Sequence, residues 1–290
     1  MSWRTIVISK NAKIDYQMGY MVVRQDKITK IAMNEIHTVI IESTAVSITT
    51  ALLAELTKKK VKVIFCDEKR NPSSELVPYY GAHDTSAKIR NQIKWSEDAK
   101  KSLWTEIVHE KIKKQAEHLE YWDKEEANML YAYCNEIEYG DSTNREGHAA
   151  KVYFNSLFGK DFSRTQENSI NAALNYGYGI LLSTVNREIV LNGYITQLGV
   201  FHDNMFNQFN LGSDLMEPFR PMVDYYVMKL EPVKFEVEEK RYMIRLLQEE
   251  VEIFGKREVF TNAVKIYIRS IFDALNDEDI SLIKFYSYEL

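Results

Sequence analysis

Short apolar segments with alternating or continuous patterns dominate the first quarter of the chain. Runs of this kind, broken by Asn, Gly and Asp residues, are typical of β-strands joined by tight turns, and they predict hairpins in an antiparallel sheet. One stretch, 47–59, changes period, with Ile48, Leu52 and Leu56 at helical spacing. The predicted strands cover residues 5–9, 19–24, 27–32, 38–41 and 61–65.

From Ser86 onward apolar residues recur at steps of three and four, which predicts a mostly helical second part. The polar Pro/Ser stretch 67–74 is the best linker candidate. The fold class is therefore α+β, with a β-rich N-terminal domain (1–75), a linker (76–85) and a larger all-α C-terminal domain (86–290). Its predicted helices cover 86–118, 123–137, 144–158, 167–192, 221–230, 236–253 and 258–275.

The last segment, 280–290, is apolar and aromatic and follows the polar break 276–279. By default it packs on its own domain, and the alternative is docking on a partner.

Composition narrows the class of protein. The 290 residues are 45% apolar, enough for a sizeable core, which argues against disorder. The sequence has no signal-peptide pattern and no run of membrane-spanning length, so we expect a cytoplasmic protein. Cys66 and Cys134 lack CxxC spacing and predict two reduced thiols.

The net charge of −5 does not exclude local basic patches on the surface. Basic residues cluster at 58–62, 88–101, 111–114 and 240–245, although each run alone is most simply a solvated face.

Glu146 has two interpretations. It follows Thr143 by three residues at a predicted helix start, which is the pattern of a capping box. It also falls on the apolar face that runs through Ala149, Tyr153 and Leu157, so the carboxylate should face inward. A buried carboxylate needs a cation or hydrogen-bond donors. The residues alone leave capping and function open.

A second cluster contains a histidine and two acids in a region of loops and helix starts. Gly199 and Gly212 permit tight turns, and a chain folded back there would bring His202 towards Asp214 and Glu217. One imidazole with several carboxylates suits Mg²⁺ or Mn²⁺ better than zinc. The alternatives are a structural, hydrogen-bonded His202 and a helix-capping Asp214.

Four motifs in fixed order resemble the CRISPR-associated integrase family, the nuclease of spacer acquisition, and especially its members from type II systems. The resemblance spans the whole chain, because the β-rich and helical parts also follow in the family's order. The motifs are EGHAAKVYF at 146–154, NAALNYGY at 171–178, LGVFH at 198–202 and DLMEPFRP at 214–221.

The resemblance implies that Glu146, His202 and Glu217 are catalytic and bind the metal. Many relatives have Asp at the last position, so whether Glu217 binds directly or through water stays open. Asp214 resembles a supporting acidic position. The resemblance further implies a homodimer formed through the β-rich domains, and a small ferredoxin-like partner subunit that bridges two such dimers across DNA.

The implied reaction is transesterification, in which a 3′-hydroxyl of an incoming DNA fragment attacks a phosphodiester at the edge of a CRISPR repeat. His202 would be a neutral metal ligand or a proton donor to the leaving oxygen. Arg145 and Arg220 are candidates to hold the target phosphate, and the alternative for each is an ion pair with a neighbouring acid. Tyr176 and Tyr178, at helical spacing, belong more simply to the core.

Two other functions remain open from the sequence. One is an autonomous, structure-specific DNA repair nuclease that uses water as the nucleophile at the same metal centre. The other is a non-catalytic DNA-binding scaffold, in which Glu146 caps a helix and His202 is structural.

Overall fold

The computed structural model describes residues 4–79 and 81–289, and the chain divides into two units, Met1–His83 and Asp84–Leu290. This division falls within the segment 76–85. No helix in the described part of the chain has both the length and the apolar character needed to cross a membrane.

The described residues of the first unit form two four-stranded sheets and one helix. The elements are β1 (Arg4–Ile8), β2 (Ala12–Gln17), β3 (Tyr20–Arg24), β4 (Ile28–Ala32), β5 (Ile36–Ile41), β6 (Val46–Ile48), α1 (Thr50–Lys58), β7 (Lys62–Cys66) and β8 (Pro72–Glu75). The strand orders are β1-β5-β7-β8 and β4-β3-β2-β6. The five strands and the helix expected from the sequence are present, and β2, β6 and β8 were not predicted. A core that includes Ile14, Met21 and Leu52 contains residues from both sheets and from α1.

Two expectations for this unit are wrong. The sheets are not purely antiparallel, because β5 pairs in parallel with both β1 and β7. All six residues of β5 are buried, as expected for a strand covered on both faces. The stretch 67–74 is not simply a linker, because Pro72–Glu75 forms a strand antiparallel to β7. Its polar composition is compatible with an edge strand, where proline is tolerated.

The second unit is mostly helical and is organised around the long helix α3. Ser96 caps α3 by accepting a hydrogen bond from Ala99 N–H at 3.1 Å, and Asn168 caps α6 in the same way. The helices are α2 (Thr85–Ile93), α3 (Glu97–Tyr121), α4 (Ala127–Asn135), α5 (Arg145–Phe158), α6 (Ser169–Leu191), α7 (Asn210–Leu215), α8 (Arg220–Leu230), α9 (Val237–Ile244) and α10 (Phe260–Asp277).

The α+β class and the order of a β-rich part followed by a mostly helical part are confirmed. Two helix predictions are wrong in detail. The segment 86–118 is two helices, because Ser96 caps a new one. The helix predicted over 236–253 ends at Ile244, and its last residues form β9 (Glu250–Ile253), which pairs with β10 (Lys256–Val259) and β11 (Tyr286–Ser287). In β9, Val251 and Ile253 are buried between exposed glutamates, a strand period that the helical pattern upstream obscured.

The C-terminal tail packs on its own unit. Tyr286, in β11, stacks on Phe219 with ring centroids 4.6 Å apart, and its hydroxyl donates to Pro218 O at 3.3 Å. Lys114 on α3 donates from Nζ to Tyr286 O at 2.5 Å. The tail therefore packs against the turn Glu217–Phe219.

Candidate metal centre

Glu146 lies in the first turn of α5, and its side chain does not cap the helix. Asn144 is the N-cap residue, and its side chain accepts a hydrogen bond from the backbone three residues later at 3.3 Å. The Asp141 carboxylate accepts from the N–H groups of Arg145 at 2.7 Å and Glu146 at 3.2 Å. The capping-box interpretation with Thr143 is therefore wrong, and the Glu146 carboxylate points to α3.

On α3, the ammonium of Lys111 joins two of the predicted site residues. Its Nζ contacts Glu146 Oε1, and it lies 2.5 Å from Glu217 Oε2. Lys111 and Glu217 are nearly inaccessible, with side-chain exposures of 6% and 5%. Burial would lower the pKa of Lys111, but the charges of Glu217 and Glu146 outweigh it and raise that pKa. The lysine is thus a charged bridge between carboxylates that are distant in sequence.

Glu217 occupies the single 3₁₀ turn Glu217–Phe219, immediately before α8. Arg220 donates from Nε to Glu217 Oε1 at 2.8 Å. Burial would raise the pKa of Glu217, but the nearby charges of Arg220 and Lys111 lower it. The other oxygen, Oε2, is buried and accepts no hydrogen bond of good geometry, although Lys111 is close to it. Among the described residues, this oxygen is therefore paired with the Lys111 cation alone.

His202 is oriented by Asp214. The fully buried Asp214 carboxylate accepts from the N–H groups of Val200 at 2.7 Å and Phe201 at 3.0 Å, and its Oδ1 lies 2.5 Å from His202 Nδ1. The loop passes so close to this carboxylate that a Cβ on Gly199 would lie 2.7 Å from Asp214 Oδ2. The imidazole is therefore fixed through Nδ1, and its side chain is 44% exposed.

The three predicted ligands share one electrostatic environment. The pKa of His202 is raised chiefly by its hydrogen bond to Asp214, against the effect of burial, and the charges of Glu217 and Glu146 add to the rise. Within the described residues, no group of three or more His, Cys, Asp or Glu side chains is arranged to hold a metal ion. The ammonium of Lys111 lies instead between two of the carboxylates.

The chemistry of these residues nevertheless fits Mg²⁺ or Mn²⁺. Two carboxylates and an imidazole form a hard, oxygen-rich donor set. A metal-binding histidine usually donates its other ring N–H to a carboxylate, and His202 has that contact with Asp214. The buried Oε2 of Glu217 lacks a well-formed hydrogen bond. The types of donor atom therefore suit Mg²⁺ or Mn²⁺, whereas two of the carboxylates, Glu146 and Glu217, are arranged around the ammonium of Lys111.

The two arginines considered for phosphate binding both make ion pairs. Arg145 Nη2 lies 2.8 Å from Glu136 Oε2. Arg220 pairs with Glu217 and also lies over the ring of Tyr178, 4.6 Å from its centroid. Arg220 thus borders the carboxylates, whereas the partner of Arg145 lies outside the predicted site.

Sequence reasoning missed Lys111 and Asp224. Lys111 belongs to a basic run, although Ile107 and Val108, four and three residues before it on the same helix face, are core residues. That position on an apolar face was the sequence signal that Lys111 is buried.

Asp224 is buried and accepts a hydrogen bond from the Tyr178 hydroxyl, and burial raises its pKa to about 6. Tyr176 and Tyr178 are buried, as expected.

Solved structures with a similar fold include a casposase and Cas1 proteins. A casposase bound to its integration product is similar over 96% of this chain and 91% of that chain, with a TM-score of 0.77 and 17% identity. A Cas1 protein from Thermotoga maritima is similar over 94% and 97%, with a TM-score of 0.76 and 16% identity. In a Cas6-RT-Cas1–Cas2 complex, the similar chain is covered over 36% of its length, with a TM-score of 0.75. The architecture is therefore that of the casposase and Cas1 fold.

Sequence comparison makes the assignment specific. The model of the family described as CRISPR-associated protein Cas1 matches residues 5–250. A CRISPR-associated endonuclease Cas1 of Neisseria meningitidis serogroup C is 35% identical over 232 residues, which cover 79% of this chain and 76% of the relative. A second relative, from Saccharolobus solfataricus, is 26% identical over 250 residues. The chain belongs to the Cas1 family.

Proposed function

We propose that this protein is a metal-dependent DNA endonuclease and integrase that inserts foreign DNA fragments into a CRISPR repeat array. Membership of the Cas1 family and the casposase fold support an enzyme of this kind. The observation that carries the proposal is the convergence of Glu146 and Glu217 on one buried cation, the ammonium of Lys111. The charges of both carboxylates also contribute to the raised pKa of His202.

Glu146, Glu217 and His202 would hold Mg²⁺ or Mn²⁺. When bound, the ion supplies charge that stabilises the phosphoryl oxygens during transfer. Asp214 contacts Nδ1 of the imidazole, which would leave Nε2 to bind the ion. Arg220 engages Oε1 of Glu217, while Oε2 pairs with Lys111. The 3′-hydroxyl of the incoming fragment then displaces a 3′-oxygen of the repeat in a transesterification that conserves the number of phosphodiester bonds.

The assembly proposed for this reaction contains a homodimer formed through the β-rich units and a small ferredoxin-like partner subunit that bridges two dimers. A Cas1–Cas2 complex among the structural relatives supports a partner of the Cas2 type. The DNA ligands are the duplex fragment and the repeat target. Fragments of arbitrary sequence must be accepted, so contacts to the phosphate backbone should dominate affinity.

The test is Glu146→Gln, which removes one negative charge and keeps the size of the side chain. We expect strand transfer into a repeat-containing duplex to fall by at least about a hundredfold, because electrostatic stabilisation of transferred phosphoryl groups is worth this much or more. DNA binding should persist. The matched control is Glu126→Gln, whose carboxylate accepts from Ser156 at 2.8 Å and is remote from the predicted ligands in sequence. Full strand transfer by Glu146→Gln would rule out the metal centre and favour the scaffold.

A fragment with a blocked 3′ end separates integration from repair cleavage. Integration requires that hydroxyl, whereas cleavage by water does not. Loss of product with the blocked fragment supports the integrase, and unchanged cleavage of branched DNA without any joined product supports the autonomous nuclease.

A further inference from the structure

Lys111 bridges three elements of the helical unit at a single atom. It extends from α3, and its Nζ contacts Glu146 on α5 and Glu217 on the 3₁₀ turn before α8. Both contacts are ion pairs, and Lys111 and Glu217 are nearly inaccessible, whereas the Glu146 side chain is 28% exposed. The ammonium is thus placed where a bridging cation between these carboxylates would be.

The buried carboxylate of Glu217 and the partly buried carboxylate of Glu146 repel each other unless a positive charge lies between them. Arg220 neutralises Glu217 from the side of Oε1 and, among the described residues, forms no ion pair with Glu146. Lys111 is the basic side chain that contacts both acids. In protein without metal, it therefore supplies the charge that keeps them together.

A divalent ion would compete with this ammonium for the same oxygens. Glu146 Oε1 and Glu217 Oε2 contact Lys111, and Glu217 Oε2 is also the buried oxygen without a well-formed hydrogen bond. Arg220 is held by Glu217 and by the ring of Tyr178. A lysine is a point charge on a flexible four-carbon stem and can withdraw more readily than a stacked guanidinium.

We propose that Lys111 is a resident counter-cation of the candidate metal centre, which holds Glu146 and Glu217 in place without metal and is displaced when a divalent ion binds. The proposal deepens the proposed function and rests on it. It predicts that Lys111 stabilises the metal-free protein while lowering its affinity for the ion.

The test compares Mn²⁺ binding by the full-length wild type and Lys111→Met, measured by titration calorimetry. Methionine keeps an unbranched side chain and removes the competing charge. We expect the variant to bind Mn²⁺ about tenfold more tightly, equivalent to about 1.4 kcal/mol. We also expect its melting temperature without metal to be lower than that of the wild type, and Mn²⁺ to raise it by more than it raises the wild-type value.

The control is Lys113→Met, which removes a nearby lysine of α3. Lys113 pairs with Glu117 at 3.8 Å, and Glu117 is not a predicted ligand. The Mn²⁺ affinity of this variant should equal that of the wild type. A similar gain in Lys113→Met would mean that the effect is not specific to Lys111, and this would contradict the proposal.

The remaining outcomes are also decisive. If Lys111→Met folds only in the presence of Mn²⁺, the ion replaces the ammonium and the proposal holds. If it stays unfolded even with saturating Mn²⁺, or if it binds Mn²⁺ no more tightly than the wild type, Lys111 is a plain structural ion pair. If the wild type itself binds no Mn²⁺ or Mg²⁺, metal dependence fails, which is a failure of the proposed function and is distinguishable from the others.

Discussion

The buried carboxylate of Asp214 determines both the orientation and the pKa of the His202 imidazole. It is fully buried, and it accepts hydrogen bonds from the loop backbone as well as contacting the imidazole of His202. A buried carboxylate without such donors would cost several kcal/mol, on the order of the desolvation of a charge. The N–H groups of the loop therefore satisfy the hydrogen-bonding capacity of the Asp214 carboxylate. Asp214 in turn orients His202 and raises its pKa.

We predict that Asp214→Asn lowers the pKa of His202 towards its ordinary value of about 6.5. The reason is that the hydrogen bond to the carboxylate is the largest cause of the rise. The imidazole pKa is measured by NMR titration. The neighbouring exposed Asp203→Asn is the control and should leave it unchanged.

The same contact makes stability depend on pH in a defined direction. A histidine whose pKa is raised on folding contributes stability below its unfolded pKa of about 6.5, and this contribution is lost as pH rises through the folded pKa. The pH-dependent part of the difference in unfolding free energy between wild type and Asp214→Asn should therefore be largest below about pH 6.5 and shrink above it. A difference that grows with pH would contradict this account.

At the scale of elements, the tail strand β11 supports the turn that contains Glu217. Tyr286 is buried against Phe219, the last residue of that turn, and its carbonyl accepts from Lys114 on α3. The turn has only three residues, so its own hydrogen bonds cannot hold it rigidly. Its position depends on the aromatic side chains packed against it.

We predict that Tyr286→Ala lowers the unfolding free energy of the helical unit by about 3 kcal/mol, because a buried aromatic side chain is replaced by a cavity. The measurement is denaturant unfolding followed by circular dichroism. Tyr79→Ala is the control, because Tyr79 is 99% exposed and should lose almost nothing. An unchanged midpoint for Tyr286→Ala would mean that the tail does not stabilise the unit.

At the scale of the whole molecule, the distribution of charge matters more than its sum. The net charge is −5, and several lysines of the basic runs are not on a solvated face, since Lys62, Lys111, Lys114 and Lys240 are buried. Lys62 forms an ion pair with Glu75. The DNA binding that we propose would therefore depend on those basic residues that remain exposed.

We predict that affinity for duplex fragments falls steeply with salt and hardly changes with fragment sequence. If about six phosphates are neutralised, affinity should fall about a thousandfold between about 50 and 200 mM salt. Fluorescence anisotropy with two fragments of unrelated sequence measures both effects. Affinity that is independent of salt, or that differs strongly between the fragments, would contradict backbone recognition.

How much of the fold the sequence predicts depends on how local the signal is. Period-two and period-three-and-four patterns located most strands and helices, and the order of the two parts is confirmed. The pattern failed where pairing overrides local composition. Pro72–Glu75 is polar but pairs with β7, and Glu250–Ile253 follows a helical pattern but pairs with β10 and β11. These strands depend on partners that local pattern does not specify.

The sequence by itself determined the acidic and imidazole side chains available to the candidate site, and the inward direction of Glu146, because helix periodicity fixes which residues share a face. Only the tertiary structure decided what meets those side chains. Lys111, Glu146 and Glu217 come from three elements, and their ion pairs exist because α3 packs against the other two. A contact between residues that are distant in the chain depends on how the helices pack, and the local pattern of a single sequence does not specify that packing.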